Sequence, residues 1–281
     1  MAIKLASNAY GKNAVNLSKI IRHKDYHEFR QISVNVSLEG DFETVHTLGD
    51  NSQVLPTDTQ KNTVYALAKE HFASSIEEFG IYLANHFFSN NPQLSQCNIE
   101  ISEHLWNRMV VNGRPHPGAY ISGGAEKHIA SIVQTKGTTQ ITSGIKDLLI
   151  LKTTDSGFEK YIKDKYTTLK ETSDRIFATN CEISWQYQTA PTDFTSAFHD
   201  IRTTLINVFA NHKSLSVQHT LYAMAEKVLE KFNIVKEIIL KMPNKHHIPF
   251  NLQQFGMENN NEIFIATDEP YGYITGTVTR E

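Results

Sequence analysis

Between residues 32 and 38 the chain alternates without a break, with Ile32, Val34, Val36 and Leu38 on one side and Ser33, Asn35 and Ser37 on the other. A period of two is that of a strand with one buried face. Gly40 and Asp41 predict a turn, and residues 42–48 a second strand. The turn-rich run Gly49, Asp50, Asn51, Ser52 then gives way to a different period. Val64, Leu67, Ala68 and Phe72 recur at the three-or-four spacing of an amphipathic helix, with Thr57 or Asp58 as its N-cap. Ser75 and Glu78 read as a capping box for a further helix whose apolar stripe is Ile76, Phe79, Leu83 and Phe87, closed by Pro92. Residues 98–106 and 119–135 read as strands, and Asn112-Gly113 marks a turn between them.

The same order of periods returns in the second half. Residues 141–151 and 177–187 read as strands, the latter with Ile183, Trp185 and Tyr187 alternating. Two helices follow: one carries Phe194, Phe198, Ile201, Leu205 and Phe209, the other Val217, Leu221, Met224, Val228 and Leu229. Residues 234–241, 248–252 and 262–266 read as closing strands. Two strands, two helices and then closing strands in each half predict an α+β fold, an antiparallel sheet with helices on one face, and domains at residues 1–138 and 139–281. The match between halves is one of order, without a repeat at the level of residues.

Composition narrows the classes. The chain has 281 residues, 40% hydrophobic and 20% charged, enough for a sizeable core without staples. Its formal net charge is −3 with basic residues scattered, so no nucleic-acid or anionic-membrane footprint is expected. Two cysteines, Cys97 and Cys181, make neither a disulfide framework nor a CxxC site, which favours a reducing compartment, the cytoplasm. The opening MAIKLASNAYGKN lacks an apolar leader core, and no run reaches membrane-spanning length. The final Thr279, Arg280, Glu281 is not a Ser-Lys-Leu peroxisomal address.

Most candidate chemistry has a plain structural reading. Lys12, in a short polar N-terminal segment, reads as a solvated charge, and Thr57 and Asp58 as helix caps. Arg175 after Asp174 reads as an ion pair on a polar face. Val217 reads as the first apolar residue of a core helix, Phe158 as core, and Asn244 as a turn residue just after a strand. His23 and His27 lack the carboxylate or cysteine companions of a metal site. Gly123-Gly124 lacks the further glycines of a phosphate loop and reads as a turn.

Five stretches taken together say more. YGKNAV from Tyr10, TDTQKNT from Thr57, YTTLKETSDR from Tyr166, SVQ from Ser216 and MPNKHH from Met242 occur in that order over nearly the whole chain. In this the chain resembles the urate oxidases, the cofactor-free uricase family. The resemblance implies the tunnelling fold, with two tandem ββααββ-like halves whose sheets close into a barrel between subunits. It also implies a homotetramer with active sites at subunit interfaces, and urate and dioxygen as substrates.

The resemblance further implies roles for single residues. Lys12, Thr57 and His246 would form a proton relay, a partly desolvated lysine being able to act as a base near neutral pH. Thr57 and Asp58 would face a urate bound mainly by the neighbouring subunit, with Asp58 contributing either its side chain or its backbone, the latter leaving it free to cap its helix. Arg175 and Gln218 would grip opposite edges of the urate, Val217 would add a backbone contact, Phe158 would stack beneath the purine, and Asn244 would hold dioxygen or the attacking water. No role is implied for His247. Two rival readings remain: a tunnelling-fold hydrolase of pterins or GTP, which needs a Cys/His zinc site, and a purine-binding module without turnover.

Overall fold

The computed structural model describes residues 3–281. Met1 and Ala2, part of the opening segment read for a leader, lie outside the described residues. The chain divides into two compact units, one of Met1–Gly144 with Thr189–Phe198 and the other of Ile145–Gln188 with His199–Glu281. Among the described residues there are ten strands and five α-helices, every described strand pairing is antiparallel, and the class is α+β. Among the described residues no helix is long and apolar enough to cross a membrane.

The first unit holds β1 (Tyr10–Arg22), β2 (His27–Gly40), α1 (Glu43–Leu48), α2 (Thr57–His71), α3 (Ile76–Asn90), β3 (Leu94–Val111) and β4 (Arg114–Thr135). β5 (Thr138–Lys152) runs from this unit into the second. β2 lies between β1 and β3, and β4 follows β3. The alternating set Val34, Val36 and Leu38 is fully buried, as are Ile99, Ile101 and Ile132. Against this face α3 buries Phe79, Leu83 and Phe87, and α2 buries Val64 and Ala68. The Ser75–Glu78 capping box is present in both directions.

One polar network is buried in this apolar layer. Glu77 on α3, fully buried, accepts from His128 Nε2 at 2.8 Å and from Ser143 Oγ. The His128 ring stacks on Phe198 with centroids 3.7 Å apart. Its Nδ1 lies 3.9 Å from Glu103, whose carboxylate takes two bonds from Arg30 at 2.6 and 2.8 Å.

Three expectations for this unit are corrected. Residues 42–48 are not a strand: Phe42 is buried as the N-cap of α1, and Gly49 closes that helix in the left-handed conformation. Both edges of β2 are already taken by β1 and β3, so a strand here would have had no partner. Lys12 lies not in a loose polar segment but in β1, whose period is broken by an irregularity between Lys12 and Val15. Gly123 and Gly124 sit inside β4, where the register shifts opposite Leu105 and a Cβ on Gly123 would come within 2.9 Å of the Leu105 carbonyl.

In the second unit β6 (Phe177–Tyr187) pairs with β7 (Val235–Lys241), and β7 with β10 (Thr275–Thr279). β8 (Asn244–Pro249) pairs with both β6 and β9 (Phe264–Gly272). α5 (Val217–Lys231) packs on β7 and β10, burying Leu221, Met224 and Val228. The packing is close enough that a Cβ on Gly276 would meet Leu221 at 2.8 Å. α4 (Phe194–Asn211) starts within the first unit, and its part from His199 onward buries Ile201, Leu205 and Phe209. Asn244 and His246 are therefore in a strand rather than after one, the strand expected at 248–252 begins at Asn244, and β10 was not anticipated.

Candidate functional site

The nine residues singled out above fall into two sets, one in each unit. In the first unit, α2 runs beside β1 and is fastened to it along its length. The Leu55 N–H donates to the Tyr10 hydroxyl at 3.0 Å, the Tyr65 hydroxyl to the Asn16 carbonyl at 3.1 Å, and the Lys19 ammonium to the Ala68 and Lys69 carbonyls at 2.7 and 3.0 Å. Tyr10 is two residues before Lys12 and Leu55 two before Thr57, so the first fastening sets the lysine against the start of the helix. The irregularity of β1 follows directly: Ala14 has φ 55° and its N–H bonds the Asn35 side chain at 2.8 Å. An extra residue of this kind re-aims a side chain. Lys12 is half-buried, and its charge contributes to holding the Asp58 carboxyl below its ordinary range.

The N-cap is Pro56, without a side-chain cap bond, and neither Thr57 nor Asp58 fills that position. Pro56 needs no N–H there, and its carbonyl accepts the first helical bond, from Gln60 at 3.1 Å. Thr57 and Asp58 are the first two helical residues, whose N–H groups have no intrahelical partner. The Asp58 carboxylate turns to Lys61 and Asn62, the Lys61 bond being the main cause of its lowered pKa. Thr57 is exposed, and its hydroxyl carries no hydrogen bond among the described residues. The set thus offers an ammonium, a hydroxyl without a partner among the described residues, and two N–H groups without an intrahelical partner.

In the second unit, the loop 153–176 is pinned beside the start of α5. Gly157 N–H donates to the Ser214 carbonyl and Ser214 N–H to the Asp155 carbonyl, both at 2.8 Å. Phe158 and Thr172 exchange backbone bonds at 2.7 and 3.2 Å. The half-buried Phe158 ring stacks on Tyr161 with centroids 4.9 Å apart, and the Arg175 guanidinium lies 5.2 Å from its centre. The Asp174 carboxylate is engaged by Thr154 Oγ1 at 3.0 Å and Ser156 N–H at 3.4 Å. Arg175 makes no ion pair or hydrogen bond among the described residues, so the expected surface ion pair is absent. Burial disfavours its charged form.

Ser216 caps α5 by accepting from His219 N–H at 3.1 Å, which makes Val217 and Gln218 the first two helical residues. Val217 is buried and Gln218 exposed. Asn244 pairs with Thr179 of β6 and with Gly272 of β9, and His246 with Thr267. Both are half-buried. Tyr10, Tyr161 and a histidine pair, His212 and His219, were not singled out in the sequence. Only the place of His219 directly after Gln218 hinted at it. The zinc-hydrolase alternative finds no donor set, since among the described residues no three His, Cys, Asp or Glu side chains are grouped to hold a metal.

The set in the second unit is suited to a flat anion: an aromatic face, an unpaired guanidinium beside it, and a free amide at a helix N-terminus. The uricase family model matches residues 8–133 and 141–275. A uricase of Arthrobacter globiformis is 41% identical over 280 residues, covering 99% of this chain and 91% of that one. A uricase of Dictyostelium discoideum is 36% identical, covering 98% and 97%. The crystal structure of the Arthrobacter globiformis uricase superposes with a TM-score of 0.95 at 40% identity, covering 100% of this chain and 96% of that one. A Bacillus sp. TB-90 urate oxidase, at 23% identity and a TM-score of 0.85 over 97% of this chain and 100% of its own, shares the fold. With the match running through both units and all five motif stretches, the chain belongs to the uricase family.

Proposed function

We propose that the protein is a urate oxidase, converting urate, dioxygen and water to 5-hydroxyisourate and hydrogen peroxide without a metal or organic cofactor. The observation that carries this reading is Arg175, half-buried over the Phe158 ring and without a carboxylate partner among the described residues. A desolvated guanidinium gains most from a planar anion that accepts two parallel bonds, and urate presents such an edge. Gln218 takes the opposite edge with one donor and one acceptor, the Val217 N–H adds a backbone contact, and Phe158 lies beneath the purine.

Oxidation needs an electron-rich dianion. Lys12 acts as the base through the Thr57 hydroxyl, with His246 completing the relay, and the Asp58 N–H at the mouth of α2 stabilises the charge that develops. The dianion gives one electron to dioxygen held by Asn244. The two radicals combine to a C5 hydroperoxide, and water then displaces hydroperoxide, leaving the hydroxyl on C5 and releasing hydrogen peroxide. The atoms of urate, dioxygen and water are all accounted for, and no outside reductant is needed.

The same reading includes tandem tunnelling-fold halves, a homotetramer with shared sites and a cytoplasmic location. Pairing of β1 with β2 alone among the described residues supports association, because an open edge invites a second chain. The test is to incubate chelator-treated protein with urate and record urate, oxygen and peroxide together. Equal losses of urate and oxygen, matched by peroxide, are expected. Tight urate binding with no loss of urate would support the binding-module reading instead.

A further inference from the structure

His212 and His219 take no part in the reaction just described, yet they sit where Gln218 is held. His212 Nε2 lies 3.2 Å from His219 Nδ1, with ring centres 4.3 Å apart at 65°. The Leu215 backbone N–H is 3.4 Å from the same Nδ1. A backbone N–H only donates, so His219 Nδ1 is an acceptor, and the proton between the rings belongs to His212 Nε2. Both bonds therefore require an unprotonated Nδ1. The surrounding turn is fastened at neighbouring points, Ser214 Oγ donating to the Ser216 carbonyl at 3.0 Å and Ser216 Oγ accepting from His219 N–H at 3.1 Å. The His219 ring thus closes the turn at residues 212–219 that presents Val217 and Gln218.

The charged groups around the pair carry both signs, Lys227 being paired with Glu230 at 2.9 Å. From β5, Lys152 donates to the His212 carbonyl, and from α5, Lys227 and Lys231 line with His212 a cleft of about 440 Å³ that also includes Thr204, Asn207 and Asn211 of α4. Asp155 and Asp174 act on Lys152, and the Asp174 carboxylate is already engaged by Thr154 and Ser156. Burial, then His219 and Lys152, hold the His212 imidazole below its ordinary range.

We propose that His219, braced by His212, is a positioning residue for urate: the pair with one shared proton holds the turn that presents Gln218, and a further proton releases it. A proton on His219 Nδ1 would face the Leu215 N–H and the His212 Nε2–H, so two acceptor bonds are lost at once. This inference rests on the assignment of Gln218 to urate recognition.

The test measures KM and kcat for urate from about pH 8 to about pH 6, the histidine range. The wild type is compared with His219→Asn, whose amide oxygen replaces Nδ1 as a non-titrating acceptor, and with His219→Leu. In the wild type KM should rise roughly five- to tenfold relative to His219→Asn as pH falls, the scale of one or two lost hydrogen bonds, with kcat moving in parallel in the two proteins. His219→Leu should show the raised KM throughout. Hydrogen exchange of the segment 212–219 without urate, corrected for intrinsic rates, supplies a readout independent of turnover. Protection should fall at the acidic end in wild type and persist in His219→Asn. Identical KM profiles and identical protection in the two would overturn the proposal. An exchange switch in a protein that neither binds nor oxidises urate would instead overturn the functional reading.

Discussion

Arg175 lies 5.2 Å over the ring of Phe158, and its neighbour Asp174 is turned away to Thr154 and Ser156. A guanidinium freed from its adjacent carboxylate and partly removed from water is poised for an outside anion. Arg175→Ala should weaken binding of urate and of non-reacting purine analogues by about 10- to 100-fold, the range of a charge-assisted bond, and Gln218→Ala by less. Calorimetric titration with an analogue checks this. Arg175→Lys should recover little, since a point charge cannot make two parallel bonds. Unchanged analogue affinity in the alanine variants would remove the clamp.

If Lys12 and Thr57 form the proposed relay, their substitutions should behave differently, acting on the transition state. Lys12→Met and Thr57→Ala are each expected to lower kcat by about 10²- to 10⁴-fold with a smaller change in KM. Steady-state assays at saturating oxygen separate the two parameters. Near-normal turnover in both variants would take the relay out of the mechanism.

The Glu77–His128 pair makes a prediction about stability. Burial alone would raise the Glu77 carboxyl, but the His128 charge and the hydrogen bonds from His128 and Ser143 outweigh it and leave its pKa lowered. A carboxylate with a depressed folded pKa stabilises fully above its unfolded value, about 4.3, and the contribution is lost as pH falls through the folded value. Glu77→Ala should cost about 3–5 kcal/mol near neutral pH, as when one partner of a buried pair is removed. Denaturant unfolding at a series of pH values should show this difference shrinking only in acid. A difference independent of pH would mean that the loss is one of packing.

Legibility in the sequence followed the range of the interactions. The strand carrying Val34, Val36 and Leu38 was legible because helices cover one face and leave the other polar, and the Ser75–Glu78 box because its partners are three residues apart. β1 was not, since its irregularity at Lys12 breaks the period that would have revealed it. The false strand at residues 42–48 had a plausible local pattern, but the edges of β2 were taken by the preceding β1 and by the distant β3. β8 was hidden by the polar run PNKHH, whose partners lie in β6 and β9. The site motifs were visible in order and type. What only folding supplies is the turn of Asp174 away from Arg175, the Tyr10–Leu55 fastening beneath Lys12 and Thr57, and the contact between His212 and His219.

The central claim is that a base set in one unit and an anion clamp in the other act on one urate, brought together between subunits. Thr57→Ala and Arg175→Ala, each nearly inactive alone, should be co-expressed in equal amounts and the mixed assemblies verified by mass. In a two-fold pair of unlike subunits one site carries both substitutions and the other neither. With random pairing roughly a quarter of wild-type activity should return. Mixed assemblies that stay inactive would show that Thr57 and Arg175 serve a site within the same chain.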